Sequence, residues 1–365
     1  MSIETNKQEE LDPTAPSAPL EVRIRRQGQL PSWATWAALA VAAVVIGGIL
    51  LATGGFSVGL WVFLSVVLFA IGLYVLSRQV EGARKATDRL VTIIVTSAFL
   101  LACIPLISVV ITVIGNGLAR FDLEFFSSSM RGVVGEGGGG YHAIIGTLII
   151  TALAALMSIP VGLLTAVYLV EYGAGTRLAR SITFFVDVMT GIPSIVAGLF
   201  AYALFAIFAG PGIRLGFAGA VALSVLMIPV VVRATEEMLK IVPNELREAS
   251  YALGVPKWRT ILKVVIPTSI AGIASGITLA IARVIGETAP LLIAVGITTG
   301  LNFNPFEGRQ ATLPVFAYYS YAAPGVPRDP YIDRAWTAAL VLILIVMILN
   351  LAARFVARLF APKTR

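Results

Sequence analysis

The 365-residue chain is poor in charge: Asp, Glu, Lys and Arg make up 13% of it, where a soluble domain carries about a quarter. It is also poor in the side chains that build metal centres and covalent cross-links. The one cysteine, Cys103, excludes an intrachain disulfide and says nothing of the redox compartment. The one histidine, His142, has no ligand cluster around it and reads as an interfacial residue, not a metal site. The segment "GEGGGGYHAI" places Gly135, Gly137 and Gly140 at G-x-G-x-x-G spacing, but no strand precedes it and no Lys-Ser or Lys-Thr follows. A flexible loop is expected there. With no nucleophile paired to a base, nothing argues for an enzyme, and no cofactor is implied.

Apolar length is what the chain has in abundance, with 58% hydrophobic residues. Eight apolar runs lie at about 33–52, 56–77, 90–114, 143–169, 181–209, 217–235, 268–298 and 335–353, each near the ~20 residues of a bilayer crossing. None alternates with a period of two, which excludes a barrel. The expected fold is therefore an all-α polytopic membrane protein with about eight transmembrane helices. Residues 1–32, with the stretch "DPTAPSAP", read as a disordered polar tail. Residues 33–82 read as an N-terminal transmembrane hairpin and residues 83–365 as the core. Arg23, Arg25 and Arg26 precede the first run and no A-x-A-like site follows it, so that helix is expected to be retained.

Lys and Arg set the orientation. With the N-terminus inside, twenty fall in cytoplasmic segments and six in outer ones, and Arg283 lies within the seventh run. That bias is the positive-inside pattern, and it puts both termini and the segment 233–263 in the cytoplasm. The net charge of +7 is thereby assigned to membrane lipid headgroups, not to nucleic acid.

Four charges fall in or at the end of spanning runs: Asp187, Arg233, Arg283 and Glu287. Each costs roughly 2.5–3.5 kcal/mol near mid-bilayer, so lipid-facing positions are disfavoured. Arg283 and Glu287, four apart, would share one helix face. They read either as a structural ion pair with Asp187 as a third member, or as part of a path. In the second reading Arg233 and Arg283 pass an oxyanion while Glu287 and Asp187 hold or release them. Pro193, Pro229 and Pro290 free the carbonyls of Met189, Val225 and Gly286. Thr190, Gly191, Ser194 and Thr288 stand beside two of these, offering hydroxyls and N–H groups that suit phosphate oxygens. Pro229 and Pro105 read as packing kinks, and Gly272 and Gly276 as a close helix contact.

The stretch "VPNELREASYALG" interrupts the apolar pattern. Pro243 suits a first helical turn, Leu246, Ala249, Ser250 and Leu253 recur at helical spacing, and Gly254 fits a C-terminal residue with positive φ. Pro256 starts a second helix and Pro267 marks re-entry into the bilayer. Such an exposed short helix fits a soluble partner's groove and an interfacial helix equally.

Glu248-Ala249-Ser250, Gly254 and Val264-x-Ile266-Pro267 resemble the "EAA…G…I-x-L-P" signature of ATP-binding-cassette importer permeases, with Ser250, Val264 and Ile266 as departures. "ARVIGETAPLL" (282–292) and "DVMTGIPSIVAGLFAY" (187–202) resemble the phosphate-specific permeases of the PstA type. The resemblance covers about residues 90–354 and implies a six-helix type I importer core, 83–365 with its type-1 transmembrane region at about 143–354, in a bacterial cell membrane, preceded here by the hairpin. It implies that Glu248, Ala249, Ser250 and Gly254 couple to a separate ATPase. The implied partners are a PstC-like permease, a PstB-like ATPase dimer, a PstS-like phosphate-binding protein and phosphate. A stand-alone proton-coupled transporter, or a same-fold permease for another oxyanion, stays open as an alternative.

Overall fold

A computed structural model describes residues 28–360; residues 1–27 of the expected tail lie outside the described residues. Described residues form helices and no strands, as a bilayer requires of apolar segments, since a helix satisfies its own N–H and C=O groups. Seven helices are long and apolar enough to cross a membrane, or up to eight if a bent pair counts as one span.

The chain divides into two compact units, Met1–Ile107 and Ser108–Arg365. In the first, α1 (Trp33–Ala52) and α2 (Val58–Val80) form an antiparallel hairpin. One end is pinned by Trp61 Nε1, which donates to the Ala43 carbonyl at 2.9 Å. The other is pinned by buried Glu81, which accepts the Leu30 N–H at 3.0 Å, the Ser77 hydroxyl at 2.8 Å and the Arg89 guanidinium. α3 (Ala83–Gly117) starts in this unit and ends in the second.

The second unit continues with α4 (Leu123–Ser127), α5 (Tyr141–Val167, ending in a π-helical turn, Tyr168–Tyr172), α6 (Arg177–Thr190), α7 (Ser194–Ala209) and α8 (Gly216–Ile241). After α9 (Asn244–Ala252) and α10 (Lys257–Thr260), a second π turn (Ile261–Val265) leads into α11 (Ile266–Ile285). α12 (Ala289–Ala294), α13 (Leu313–Ala322) and α14 (Asp329–Phe360) complete it. α8 is the central helix, packed against α5, α7 and α11. Without a hydrophobic driving force in lipid, such contacts rest on close packing of small residues. Gly272 and Gly276 of α11 face Met238 and Ala234 of α8 so closely that a Cβ would lie 2.1 and 2.4 Å from their side chains.

Three expectations are corrected. The apolar run 268–298 is not one helix: it stops at Ile285 and resumes at Ala289. The glycine segment is no flexible loop, because Arg334, fully buried, donates Nη1 to the carbonyls of Gly135 at 2.8 Å and Gly137 at 2.7 Å. His142 is not interfacial but 2% exposed, its ring edge-on to Phe316 with centroids 5.4 Å apart, because α13 covers the start of α5.

Candidate functional site

Two helix breaks interrupt the apolar runs. The run 181–209 becomes α6 and α7, bent by 107° at Gly191–Pro193. Proline at the N-cap of α7 withholds its N–H, and the Met189 carbonyl accepts instead from Ile192 N–H at 3.3 Å in a local turn. The second break covers Gly286–Thr288, after which Pro290 occupies the first turn of α12, where its missing donor costs little. The helices that restart after the breaks pack on each other. A Cβ on Gly198 of α7 would lie 2.6 Å from Pro290 Cα, so only glycine lets the two backbones meet.

Around the breaks, the structure joins some expected partners and separates others. Asp187, on exposed α6, is hydrogen-bonded to Arg233 of α8. Arg233 also donates to Glu236 at 2.8 Å, and Glu236 accepts from Lys240 at 2.7 Å. The four form one alternating chain of charge, with Glu236 buried at its centre. Glu236 and Lys240 were not singled out from sequence, although their i+3 and i+4 spacing carries the signal. The expected Arg283–Glu287 pair does not form. α11 ends at Ile285, so Glu287 lies past the helix and no longer shares a face with Arg283. Arg283 is exposed and has no carboxylate within 4.0 Å among the described residues. Thr190 is exposed and donates its hydroxyl to Val186 O at 2.9 Å, while Ser194 and Thr288 are half-buried beside their breaks.

At the end of α8 the chain turns into α9, which closes in a Schellman turn. Gly254 sits at φ +74°, its N–H donating to Tyr251 O at 2.9 Å, and Val255 N–H donates to Ser250 O at 3.2 Å. One side of α9 is anchored: Ser250 is buried, with its Oγ 2.8 Å from Thr260 Oγ1. Arg247 donates to Glu171 Oε1 at 3.0 and 2.8 Å and to the carbonyls of Leu239 and Val242 at 3.0 and 2.6 Å. Lys257 donates to the Glu171 carbonyl and lies 5.0 Å from the Tyr172 ring centre. The other side is bare: Glu248 and Ala249 are exposed, and Leu253 is 83% exposed. The arrangement is a rigid projection with an apolar tip.

Residues 158–365 match the family described as the binding-protein-dependent transport system inner membrane component. The chain belongs to that family. Among its relatives is the phosphate transport system permease protein PstA 1 of Mycobacterium tuberculosis, 47% identical over 289 residues, which span 78% of this chain and 93% of that protein. PstA of Mycobacterium leprae is 45% identical over 291 residues, 78% of this chain and 93% of that one. PstA of Pasteurella multocida is 37% identical over 271 residues, 74% and 94%. The crystal structure of a bacterial alginate ABC transporter in complex with alginate pentasaccharide-bound periplasmic protein shares the fold, with a TM-score of 0.53, 13% identity and coverage of 74% of this chain and 95% of that one. In this inner membrane component both breaks, the chain of charges and the α9 projection lie within the matched stretch. The hairpin α1–α2, with α3 and α4, precedes it.

Proposed function

We propose that this chain is the PstA-type permease subunit of an ATP-driven phosphate importer. ATP hydrolysis belongs to a separate PstB-like ATPase dimer, which grips α9 from the cytoplasm through Glu248, Ala249 and the turn at Gly254, with buried Ser250 bracing the helix from behind. A PstC-like permease stands beside the chain, a PstS-like phosphate-binding protein delivers from outside, and both termini are cytoplasmic. The single observation that carries this reading is the α9 projection. It is locked on one side by Arg247–Glu171 and Ser250–Thr260 and offers Leu253 bare on the other. A helix fixed in this way transmits displacement and does not absorb it. Because a ligand shifts a conformational equilibrium only by its differential affinity for the two states, the ATPase has to hold α9 differently with and without nucleotide.

Asp187 and Thr190 of α6 and Arg283 of α11 are each exposed. A charge turned to lipid costs roughly 2.5–3.5 kcal/mol, so these positions belong to the contact with the second permease and to a water-lined path. Arg233 and Arg283 supply the positive charge for the anion, Asp187 and Glu287 compete for the arginines, and Thr190, Ser194 and Thr288 offer hydroxyls at the breaks. The test is reconstitution with and without the partners. Phosphate uptake is expected only with the ATPase, the second permease and ATP present. Uptake by this chain alone, driven by a proton gradient, would overturn the reading.

A further inference from the structure

Along the α1–α2 hairpin runs an apolar groove of about 450 Å³, walled by Trp33, Val41, Leu68 and Leu76 and floored by Ala38 and Gly72. It opens where small residues of α1 face Gly72 of α2, while Ala42 and Leu73, 3% and 1% exposed, seal the seam. The α1 stretch from Trp33 to Ala42 rises ~14 Å, about half of a ~30 Å hydrocarbon core, so the groove traverses one leaflet. Its lining is apolar throughout, which suits a lipid's alkyl chain.

One end of this groove is basic. Trp33 stands there, 67% exposed, as aromatic residues do at membrane interfaces. Arg89 reaches Thr35 Oγ1 at 3.2 Å and is already matched by Glu81 at 2.8 Å. Arg78, Arg84 and Lys85 are exposed and have no carboxylate within 4.0 Å among the described residues. Against them, residues 28–107 offer only Asp88 besides Glu81. We propose that the hairpin is a binding site for one anionic phospholipid, its acyl chain in the groove and its phosphate at Arg78, Arg84 and Lys85. The charges decide the class: a zwitterionic headgroup gains little from three cations that no described carboxylate pairs, Arg78 meeting only the Tyr74 hydroxyl at 3.0 Å, while an anionic one is held by each of them.

The test places p-benzoylphenylalanine at position 76 of the full chain, in the assembled complex, in bilayers of equal phosphatidylglycerol and phosphatidylcholine. After irradiation, crosslinked phosphatidylglycerol is expected to exceed phosphatidylcholine by about fivefold or more. The excess should fall to parity in Arg78→Gln/Arg84→Gln/Lys85→Gln, whose side chains form no salt bridge within the described fold. The same photoprobe at position 62, toward the other end of α2, should show parity throughout. Equal capture at position 76, an excess that survives neutralisation, or crosslinks only to polypeptide would each overturn the proposal.

Discussion

Arg247 and Glu171, seventy-six positions apart, meet as an ion pair 12% and 5% exposed, two guanidinium N–H groups converging on one carboxylate oxygen. The same guanidinium takes the carbonyls of Leu239, which also accepts the Val242 N–H, and of Val242 at the end of α8, where a helix runs out of backbone donors. One side chain therefore ties α9 to the end of α5 and the end of α8 together.

Arg247→Gln leaves Glu171 buried without its cation, a loss of about 3–5 kcal/mol for a buried pair. A lower melting temperature of the purified complex and a reduced yield of transport per ATP are expected. Reversing the charges, with Glu at 247 and Arg at 171, should not restore either, because a carboxylate cannot donate to the two carbonyls. Full recovery by the reversed pair would show that only the charge pairing matters.

Gly254 separates backbone strain from bulk. A Cβ there meets nothing within 4 Å, yet φ is +74°. The left-handed region costs an ordinary L-residue roughly 1–2 kcal/mol, while Asn enters it more readily. Gly254→Val should insert and assemble normally but lose ATP-coupled uptake as the Schellman turn reshapes, whereas Gly254→Asn should keep most of it. Uptake and ATPase rates measured on both variants decide; equal loss in the two would point to a steric contact with the partner.

The long helices were legible because one physical signal, apolar length, specifies each, and α1 spans the expected 33–52. The α9 turn was legible for a similar reason: Pro243 and Gly254 are local signals. The pairings were not. The sequence leaves Asp187 either as a third member of an Arg283–Glu287 pair or as a partner of Arg233 and Arg283; with a 107° bend at Gly191–Pro193, α6 meets α8 and Asp187 pairs with Arg233. A proline suggests a break and leaves its angle open. Likewise, Glu171 follows the apolar run 143–169 and Arg247 lies in the α9 stretch, and no periodicity links residues so distant in sequence.

The Asp187–Arg233 contact also yields a distinction between gate and brace. Asp187 is 60% exposed, so its pairing contributes little to stability, at most about 1 kcal/mol. Arg233 keeps Glu236 when Asp187 is lost. Asp187→Asn should therefore leave the melting temperature of the complex within a few degrees of wild type while phosphate uptake falls. Arg233→Gln, which strands buried Glu236 with Lys240 alone, should lower both. Uptake unchanged in Asp187→Asn would remove this pair from the transport path.

Glu81 gives the N-terminal unit a pH response with a defined sign. The hydrogen-bonded Arg89 guanidinium, helped by the Leu30 N–H and the Ser77 hydroxyl, outweighs burial and holds its carboxyl at about 2, against an ordinary 4.5. Since the folded value lies below the unfolded one, the stabilisation is complete above about 4.5 and drains away as pH falls toward 2. Exchange protection of the Leu30 amide, corrected for intrinsic rate, should accordingly hold steady from neutral pH down to about 4.5 and decline below it. Glu81→Gln cannot ionise, so its deficit relative to wild type should be full at pH 7 and close as pH nears 2. A deficit that stays constant across that range would mean that Glu81 acts by shape and hydrogen bonding, with its charge of no consequence.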